Sequence, residues 1–388
     1  MRILLFKQQN TCYDSVNAMI DSMNAEFISR GIACDVIDVS QDREVVLAHM
    51  NIIEPNKYDA AIAINAVGQQ NVTMGGDNLF DICNIPFFNI LLDHPMEHYD
   101  NLKTTCRNYH IICLDRKHVS FIKRYFPNIA GVYFLPLAGG NADNTEIKEI
   151  SERSMELVFA GSLLKYSCEE LLEGYKKYPE PYNGLILRVI DRMISHGGED
   201  ISEAFSYIMY DDLGWNGTDE GFLDVLSEVQ IANYFMRTFA REEILGMLLK
   251  MQFPIHLYGG GMERLLKRYP NNKAIYHGRI PFNQMPEVYS DARIVLNINP
   301  MFKDGCHDRI PTAMLYGAAV LTDSNCYTDE VLSDKLFSFA NTDALAQELP
   351  QILEDEVTLN EIIIKGYEYA KSNMTWSKYV DELLRFIS

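Results

Sequence analysis

Short, predominantly apolar runs recur along this chain between longer segments of helical periodicity, and this alternation constrains the fold more than any other feature. In the first third the runs cover residues 3–6, 34–39, 60–64, 87–92, 111–114 and 132–135, and a helical pattern covers residues 16–28. Runs this apolar are typical of strands buried on both faces, as in parallel sheets covered by helices. The pattern predicts a doubly wound α/β domain.

A second series of such runs follows at residues 157–161, 255–259, 274–278, 294–298 and 319–322. With 388 residues, the chain is long enough for two domains of ordinary size. The polar stretch from Gly139 to Arg153 separates the two series and reads as a linker. We therefore predict an N-terminal domain over residues 1–150 and a C-terminal domain over 151–370. The tail, 371–388, contains an amphipathic helix that we expect to pack back toward the N-terminal domain.

A helical insertion is predicted at about residues 166–250, between the first and second strands of the second series. Turn signals at 179–181, 196–198 and 214–217 divide it into several helices. It contains 16 acidic and 7 basic residues, and its sequence carries no recognisable chemistry.

Charge and cysteine content exclude several classes of function. The net charge of −20 argues against nucleic-acid binding and against docking on anionic lipid, since both rely on clustered Lys and Arg. The eight cysteines form no CxxC pair, so a zinc site is not expected. The sequence contains no run of about 18 apolar residues, so no transmembrane segment is predicted. A cytoplasmic protein fits these features best.

Glycines follow several predicted strands of the second series. They are Gly161 with Ser162, the run Gly259 to Gly261, and Gly278 with Arg279. Ligands of open parallel sheets bind at the carboxyl ends of the strands, where glycine lets the backbone approach a ligand closely. A tight turn explains any one of these glycines equally well, and only their repetition favours a binding site.

The segment from Asp304 to Gly317 is the strongest local signal. We expect Asp308 to cap a helix with Pro311 in its first turn, beside Arg309 and His307. A helix amino terminus next to a guanidinium group favours a diphosphate. The alternative is a capped core helix with a surface arginine.

These residues carry a resemblance to a known family. His307-Asp-Arg-Ile-Pro-Thr-Ala-Met-Leu-Tyr-Gly and the following strand to Asp323 are similar to the donor-binding helix of GT-B glycosyltransferases, particularly the spore-maturation CgeB-like group. The segments 276–297, 157–165, 91–95 and 135–136 resemble further parts of that family. The resemblance implies two Rossmann-like domains facing a cleft, with the nucleotide-sugar donor bound by the C-terminal domain and no metal.

The resemblance also implies roles for individual residues. Gly161, Ser162 and Lys165 would line the phosphate side, the backbone near Arg279 and Ile280 would meet the base, and Arg309 would hold the pyrophosphate. The complete predicted donor site is Gly161, Ser162, Lys165, Tyr258, Gly259, Gly260, Arg279, Ile280, Asp304, His307, Asp308, Arg309 and Thr312.

One position departs from the family. Many retaining GT-B enzymes carry a Glu-x7-Glu pair, which aligns here with Asp304 and Thr312, so the acid expected near the ribose is missing. Thr312 can still hydrogen-bond a ribose hydroxyl.

For the acceptor side, Asp93 and His94 end an apolar strand. His94 is the predicted general base, oriented by Asp93. The alternative is a turn histidine whose ring is satisfied by the backbone before Pro95. Asp211 and Asp212 in the insertion are a weak rival signal for a metal, and no metal or other cofactor is predicted.

The sequence thus predicts a glycosyltransferase that moves a sugar from a nucleotide-diphosphate donor, with UDP-sugar favoured, to a hydroxyl of a protein or glycan. Two alternatives remain open. One is a nucleotide-sugar epimerase of the same fold, and the other is a non-catalytic nucleotide-sugar-binding or scaffold protein.

Overall fold

A computed structural model describes residues 1–9, 12–51, 53–67, 73–74, 77–140 and 147–388. Contacts between residues divide the chain into two compact units. The first comprises Met1–Asn141, Pro281–Asn283 and Ser372–Ser388, and the second comprises Ala142–Ile280 and Gln284–Lys371. The division between the units falls after residue 141, and the predicted boundary lies near residue 150. Residues 141–146 of the predicted linker lie outside the described part.

The first unit is built on a six-stranded sheet in which every strand pair is parallel. A separate two-stranded antiparallel ribbon, β4 with β5, lies outside this sheet. The order in the main sheet is β2-β1-β3-β6-β7-β8. The strands are β1 (Arg2–Lys7), β2 (Ala33–Asp38), β3 (Ala60–Ile64), β4 (Thr73–Met74), β5 (Asp77–Asn78), β6 (Phe87–Leu91), β7 (Tyr109–Cys113) and β8 (Gly131–Phe134).

In the described part of this unit, five helices connect the strands. They are α1 (Ser15–Ser29), α2 (Arg43–Asn51), α3 (Leu79–Ile82), α4 (Tyr99–Leu102) and α5 (Arg116–Tyr125), with a 3₁₀ turn at Pro95–His98. All side chains of β3 and β6 are buried, which is the burial expected of central strands covered on both faces.

The second unit contains another six-stranded, all-parallel sheet, in the order β11-β10-β9-β12-β13-β14. Apolar side chains of β9, β10, β12 and β13 form its core together with the second half of the last insertion helix. The strands are β9 (Met155–Ala160), β10 (His256–Tyr258), β11 (Ile275–Gly278), β12 (Ala292–Asn297), β13 (Ala319–Asp323) and β14 (Phe337–Phe339).

The insertion between β9 and β10 is helical. Its helices are α6 (Cys168–Tyr175), α7 (Tyr182–Ser195), α8 (Ile201–Tyr207), α9 (Asp219–Val229) and α10 (Ala232–Lys250), with a π-helical turn at Ile208–Asp212. The remaining helices are α11 (Glu263–Arg268), α12 (Met285–Ser290), α13 (Arg309–Leu315), α14 (Cys326–Val331), α15 (Thr342–Glu354), α16 (Glu356–Asn373) and α17 (Trp376–Ile387). None of the described helices has the length and apolarity needed to span a membrane.

The terminal helix α17 belongs to the first unit, where it packs on α1. Arg30, at the end of α1, donates to the backbone oxygen of Ser377 (2.9 Å) and to the carboxylate of Asp381 (2.8 Å). Tyr133 of β8 stacks on Phe386 with ring centroids 4.3 Å apart.

The predicted doubly wound α/β architecture is confirmed in both units, because every apolar run singled out in the sequence contains a parallel strand. Strand β14 and the β4-β5 ribbon are not among the predicted strands. These elements have two or three residues each, which is too short for a periodicity to appear.

Candidate functional site

The predicted strand-end glycines come together in the second unit. Gly161 donates its backbone N–H to Tyr258 (2.9 Å), and Leu163 donates to Gly260 (2.9 Å), so the loop after β9 lies against the loop after β10. The Ser162 hydroxyl accepts the N–H of Gly260 at 3.1 Å. The two loops form one continuous backbone surface at the carboxyl ends of neighbouring strands.

Glycine is required at two of these positions. Gly259 has φ of +120°, and a Cβ there would lie 2.2 Å from the carbonyl oxygen of Gly161. Gly261 has φ of +83°, and its Cβ would lie 2.6 Å from the oxygen of Leu163. The glycine run therefore permits close packing of two backbone segments, which is a structural reason for its presence.

Arg279 and Ile280 follow β11, the strand next to β10. The Arg279 guanidinium lies over Gly260, where a Cβ would come within 2.5 Å of its Nε. Lys165 is exposed, and its ammonium lies 5.2 Å from the ring centroid of Tyr166. The Tyr258 ring stacks on His277 at 4.3 Å, and His277 in turn stacks on His256.

On the other side of β9, Arg309 begins α13 and reaches the end of β12. Its Nη1 donates to Asn297 Oδ1 at 2.6 Å, and its Nη2 lies 3.4 Å from His307 Nε2. Burial is the largest effect on His307 and lowers its pKa, and the charge of Arg309 lowers it further. His307 Nδ1 lies 2.5 Å from Asp308 Oδ1.

The expected helix cap at Asp308 is wrong. The Asp308 side chain makes no capping hydrogen bond, because its carboxylate is paired with His307 instead. The helix itself has only seven residues, Arg309–Leu315, so its dipole adds little to an anion site. The positive charge here comes from side chains.

Thr312 lies inside that helix and is almost fully buried. Its hydroxyl donates to the backbone oxygen of Asp308 at 2.7 Å, the bond that a helical threonine commonly makes. A ribose hydroxyl would thus find only an acceptor at Thr312. Asp304 is half-buried in the loop that precedes this helix.

Arg241, on α10, is a further residue of this site that no motif in the sequence indicates. Its Nη1 donates to the carbonyl oxygen of Ser162 at 2.5 Å, while its Nε is buried without a hydrogen-bond partner. Burial and the nearby charges of Arg309 and Arg237 lower the pKa of Arg241 to about 9. Within the described ranges, neither Arg241 nor Arg309 forms an ion pair with a carboxylate. One signal was available in the sequence, since Arg237 and Arg241 lie one turn apart in an otherwise acidic insertion.

Burial and the like charge of Arg309 raise the free energy of the charged Arg241 in the unliganded protein, whereas the Asp308 carboxylate offsets part of the charge of Arg309. A doubly charged anion placed between the two guanidinium groups offsets these costs at Arg241 and accepts bidentate hydrogen bonds. This arrangement can therefore bind a diphosphate or a similar dianion.

The predicted acceptor residues lie in the first unit. His94 is 1% exposed, its Nδ1 accepts the backbone N–H of Met96 (3.2 Å), and its ring packs against His118 and Phe121. This is the geometry of the turn histidine given above as the alternative. Asp93 is half-buried and accepts a hydrogen bond from Asn65 Nδ2 at 3.0 Å. Of the two residues, Asp93 is the one with surface exposed to a substrate.

Asp211 and Asp212 are the residues that suggested a rival metal site. The carboxylate of Asp212 forms an ion pair with Arg188 at 2.7 Å. In the part of the chain that the structure describes, no three His, Cys, Asp or Glu side chains lie close enough to hold a metal ion.

Part of the chain matches a known family of proteins. A family described as "Glycosyl transferase-like" matches residues 237–385, a segment that contains both Arg241 and Arg309. No curated protein sequence matches the chain.

Solved structures of similar architecture cover the whole chain. They include a sucrose-phosphate synthase from Thermosynechococcus elongatus, with TM-score 0.59, 10% identity and 98% of its own length covered. The chain has the GT-B fold. Anabaena HepE in complex with UDP-glucose is similar to it with TM-score 0.55, 12% identity and 99% of that chain covered. An alpha-glucosyltransferase in complex with UDP and DNA gives TM-score 0.55 and 13% identity over 99% of its length. At these identities the similarity establishes the GT-B architecture alone.

Proposed function

We propose that this GT-B protein is a glycosyltransferase that transfers a sugar from a nucleotide diphosphate to a hydroxyl group of a protein or glycan. The observation that carries the proposal is the pair Arg241 and Arg309, two guanidinium groups whose charges act on each other and neither of which forms an ion pair with a carboxylate among the described residues. They lie where the ends of β9 and β12 meet, the usual ligand position of such sheets.

The guanidinium pair also supplies what the reaction needs. As the bond to the sugar breaks, negative charge grows on the leaving nucleoside diphosphate, and fixed cations stabilise it in the transition state. Because two arginines provide this charge, we propose a reaction without metal. UDP is the favoured nucleotide, since HepE and the alpha-glucosyltransferase of similar fold are complexes with UDP or UDP-glucose.

The remaining donor contacts follow from the positions of the loops. Gly161, Ser162 and Gly260 are proposed to lie against the phosphates, because the two glycines carry no side chain to block a ligand, although their N–H groups are bonded within the loops. The exposed Lys165 adds a positive charge. Arg279 and Ile280, at the end of β11, are proposed to meet the base. Within the broader fold, membership of the spore-maturation CgeB-like group is part of this proposal.

The acceptor is proposed to be a protein or glycan rather than DNA, although one protein of similar fold is a complex with DNA. The net charge of −20 opposes a polyanionic acceptor. We place the reaction in the cytoplasm, because none of the seven cysteines whose side chains are described forms a disulfide.

Release of UDP from UDP-sugars tests catalysis directly. A transferase releases UDP slowly even without acceptor, because water replaces the acceptor hydroxyl, and faster once an acceptor is present. A protein that binds nucleotide sugars without turning them over, with no UDP released after prolonged incubation, would contradict the proposal.

A further inference from the structure

A second polar corner lies beside Arg309, at the carboxyl ends of β12 and β13. Asp323 ends β13, and its Oδ1 accepts the backbone N–H of Asn299 at 2.8 Å. The Thr322 hydroxyl lies 3.2 Å from the same oxygen. The other oxygen, Oδ2, receives no hydrogen bond from any described residue.

The side-chain amide of Asn299 also lacks a hydrogen-bond partner. The residue is 4% exposed, and its Nδ2 is buried without a hydrogen-bond partner. A buried amide donor and a carboxylate oxygen, each lacking a partner in one corner, are the complement of a hydroxyl group, which both donates and accepts. Burial, the largest effect, also raises the pKa of the Asp323 carboxyl, a cost that a hydroxyl donor would offset.

Buried hydrogen bonds connect this corner to the arginine pair. Arg309 donates to Asn297 Oδ1 at 2.6 Å, and Asn297 Nδ2 donates to the Thr322 hydroxyl at 2.9 Å. Asn297 and Thr322 are fully buried and lie opposite each other in the β12-β13 pairing. The network fixes Asp323 one strand away from the guanidinium group of Arg309.

The order of the strands indicates which part of a bound nucleotide sugar would lie over which strands. The surface proposed for the nucleoside lies over β10 and β11, and the arginine pair lies where β9 meets β12. Asp323 and Asn299 lie beyond it, over β12 and β13, on the side away from the nucleoside. Neighbouring strands are about 4.8 Å apart, which is close to the step from a phosphate to the sugar ring attached to it.

We infer that Asp323 and Asn299 form a subsite that binds hydroxyl groups of the transferred sugar and so contributes to the choice of donor. The inference rests on the proposed function, because the arginine pair must hold the diphosphate for this corner to meet the sugar.

Titration calorimetry with UDP and with UDP-glucose, UDP-galactose and UDP-N-acetylglucosamine tests the inference. In Asp323→Asn, we expect the affinity for the best UDP-sugar to fall at least tenfold while the affinity for UDP changes less than twofold. The matched control Asp329→Asn changes an exposed carboxylate bound to Ser324 nearby, and both affinities should remain at the wild-type value.

Asn299→Ala provides a second variant if Asp323→Asn does not fold. It should show the same selective loss with an unfolding midpoint close to that of the wild type.

Equal loss of UDP and UDP-sugar affinity in both variants, or no change in either affinity, would overturn the subsite. So would a wild-type protein that binds UDP but none of the three UDP-sugars. Failure of the wild type to bind UDP is a separate outcome, because it contradicts the proposed function itself and removes the basis of the subsite with it.

Discussion

Arg241 Nη1 donates to the carbonyl oxygen of Ser162 across 2.5 Å, and this contact joins the helical insertion to the end of strand β9. The helix that carries Arg241 begins in the insertion and ends in the core of the sheet, where Ile244, Leu248 and Leu249 pack. The insertion therefore contributes a cation to the strand-end surface rather than forming a separate appendage.

Alkaline pH should weaken UDP binding through Arg241. Its pKa is lowered to about 9 in the free protein, whereas bound diphosphate favours the charged form. Above about pH 9 UDP binding must take up a proton, so affinity falls as pH rises. The phosphates of UDP do not titrate there, because a terminal phosphate has a second pKa of about 6. The uracil N3–H does lose its proton in this range, so the comparison with a variant that lacks Arg241 separates the two titrations. Calorimetry from pH 7.5 to 10 measures the slope.

Arg241→Gln is the control for that experiment. The variant should bind UDP more weakly at pH 7.5 and show a flatter dependence on pH. An equally steep decline in this variant would assign the titration to another group.

Gly259→Ala should lower the free energy of unfolding by about 2–4 kcal/mol, because its φ of +120° excludes a side chain and its Cβ would overlap the oxygen of Gly161. Urea unfolding measures the change. Gly197→Ala is the matched control, since nothing lies within 4 Å of a Cβ there, and its effect should be within about 0.5 kcal/mol. Equal stabilities for the two variants would show that the loops after β9 and β10 do not pack as described.

Asp93→Asn should reduce UDP release from UDP-sugar by on the order of 10²-fold while leaving the affinity for UDP unchanged. We assign the role of general base to Asp93 here, because His94 is buried, and an amide retains the shape of the side chain but cannot accept a proton. His94→Asn should mainly lower the unfolding midpoint, because His94 is buried in a turn. The reverse result, catalytic loss in His94→Asn alone, would return the base role to the histidine.

The sequence predicts most of the fold because strands buried on both faces, such as 60–64 and 87–91, consist mainly of apolar residues, and such runs are recognisable in the sequence. The edge strand Phe337–Phe339 leaves a weaker trace, because one of its three residues is exposed serine. The position of Asp308 alone predicts a helix cap. The pairing with His307 that replaces the cap depends on side-chain conformations, which local sequence does not specify.

The site is less predictable than the fold. Arg309 could be found because a motif surrounds it, but Arg241 lies 68 positions earlier in a segment without a motif. Only the packing of α10 against the sheet brings the two together. Similarly, Asp323 and Asn299 look like ordinary strand-end residues until the chain of hydrogen bonds to Arg309 is seen.

Thermal unfolding with UDP, GDP, ADP, dTDP and CMP at millimolar concentration tests the diphosphate site most directly. A ligand at about 100 times its dissociation constant adds about 2.7 kcal/mol of stability. We predict that one nucleoside diphosphate, UDP first among them, raises the unfolding midpoint of the wild type and of the control Arg188→Gln. The rise should be lost in Arg241→Gln and Arg309→Gln. An equal rise in all four proteins, or none with any nucleotide in the wild type, would contradict the assignment of the arginine pair to a diphosphate.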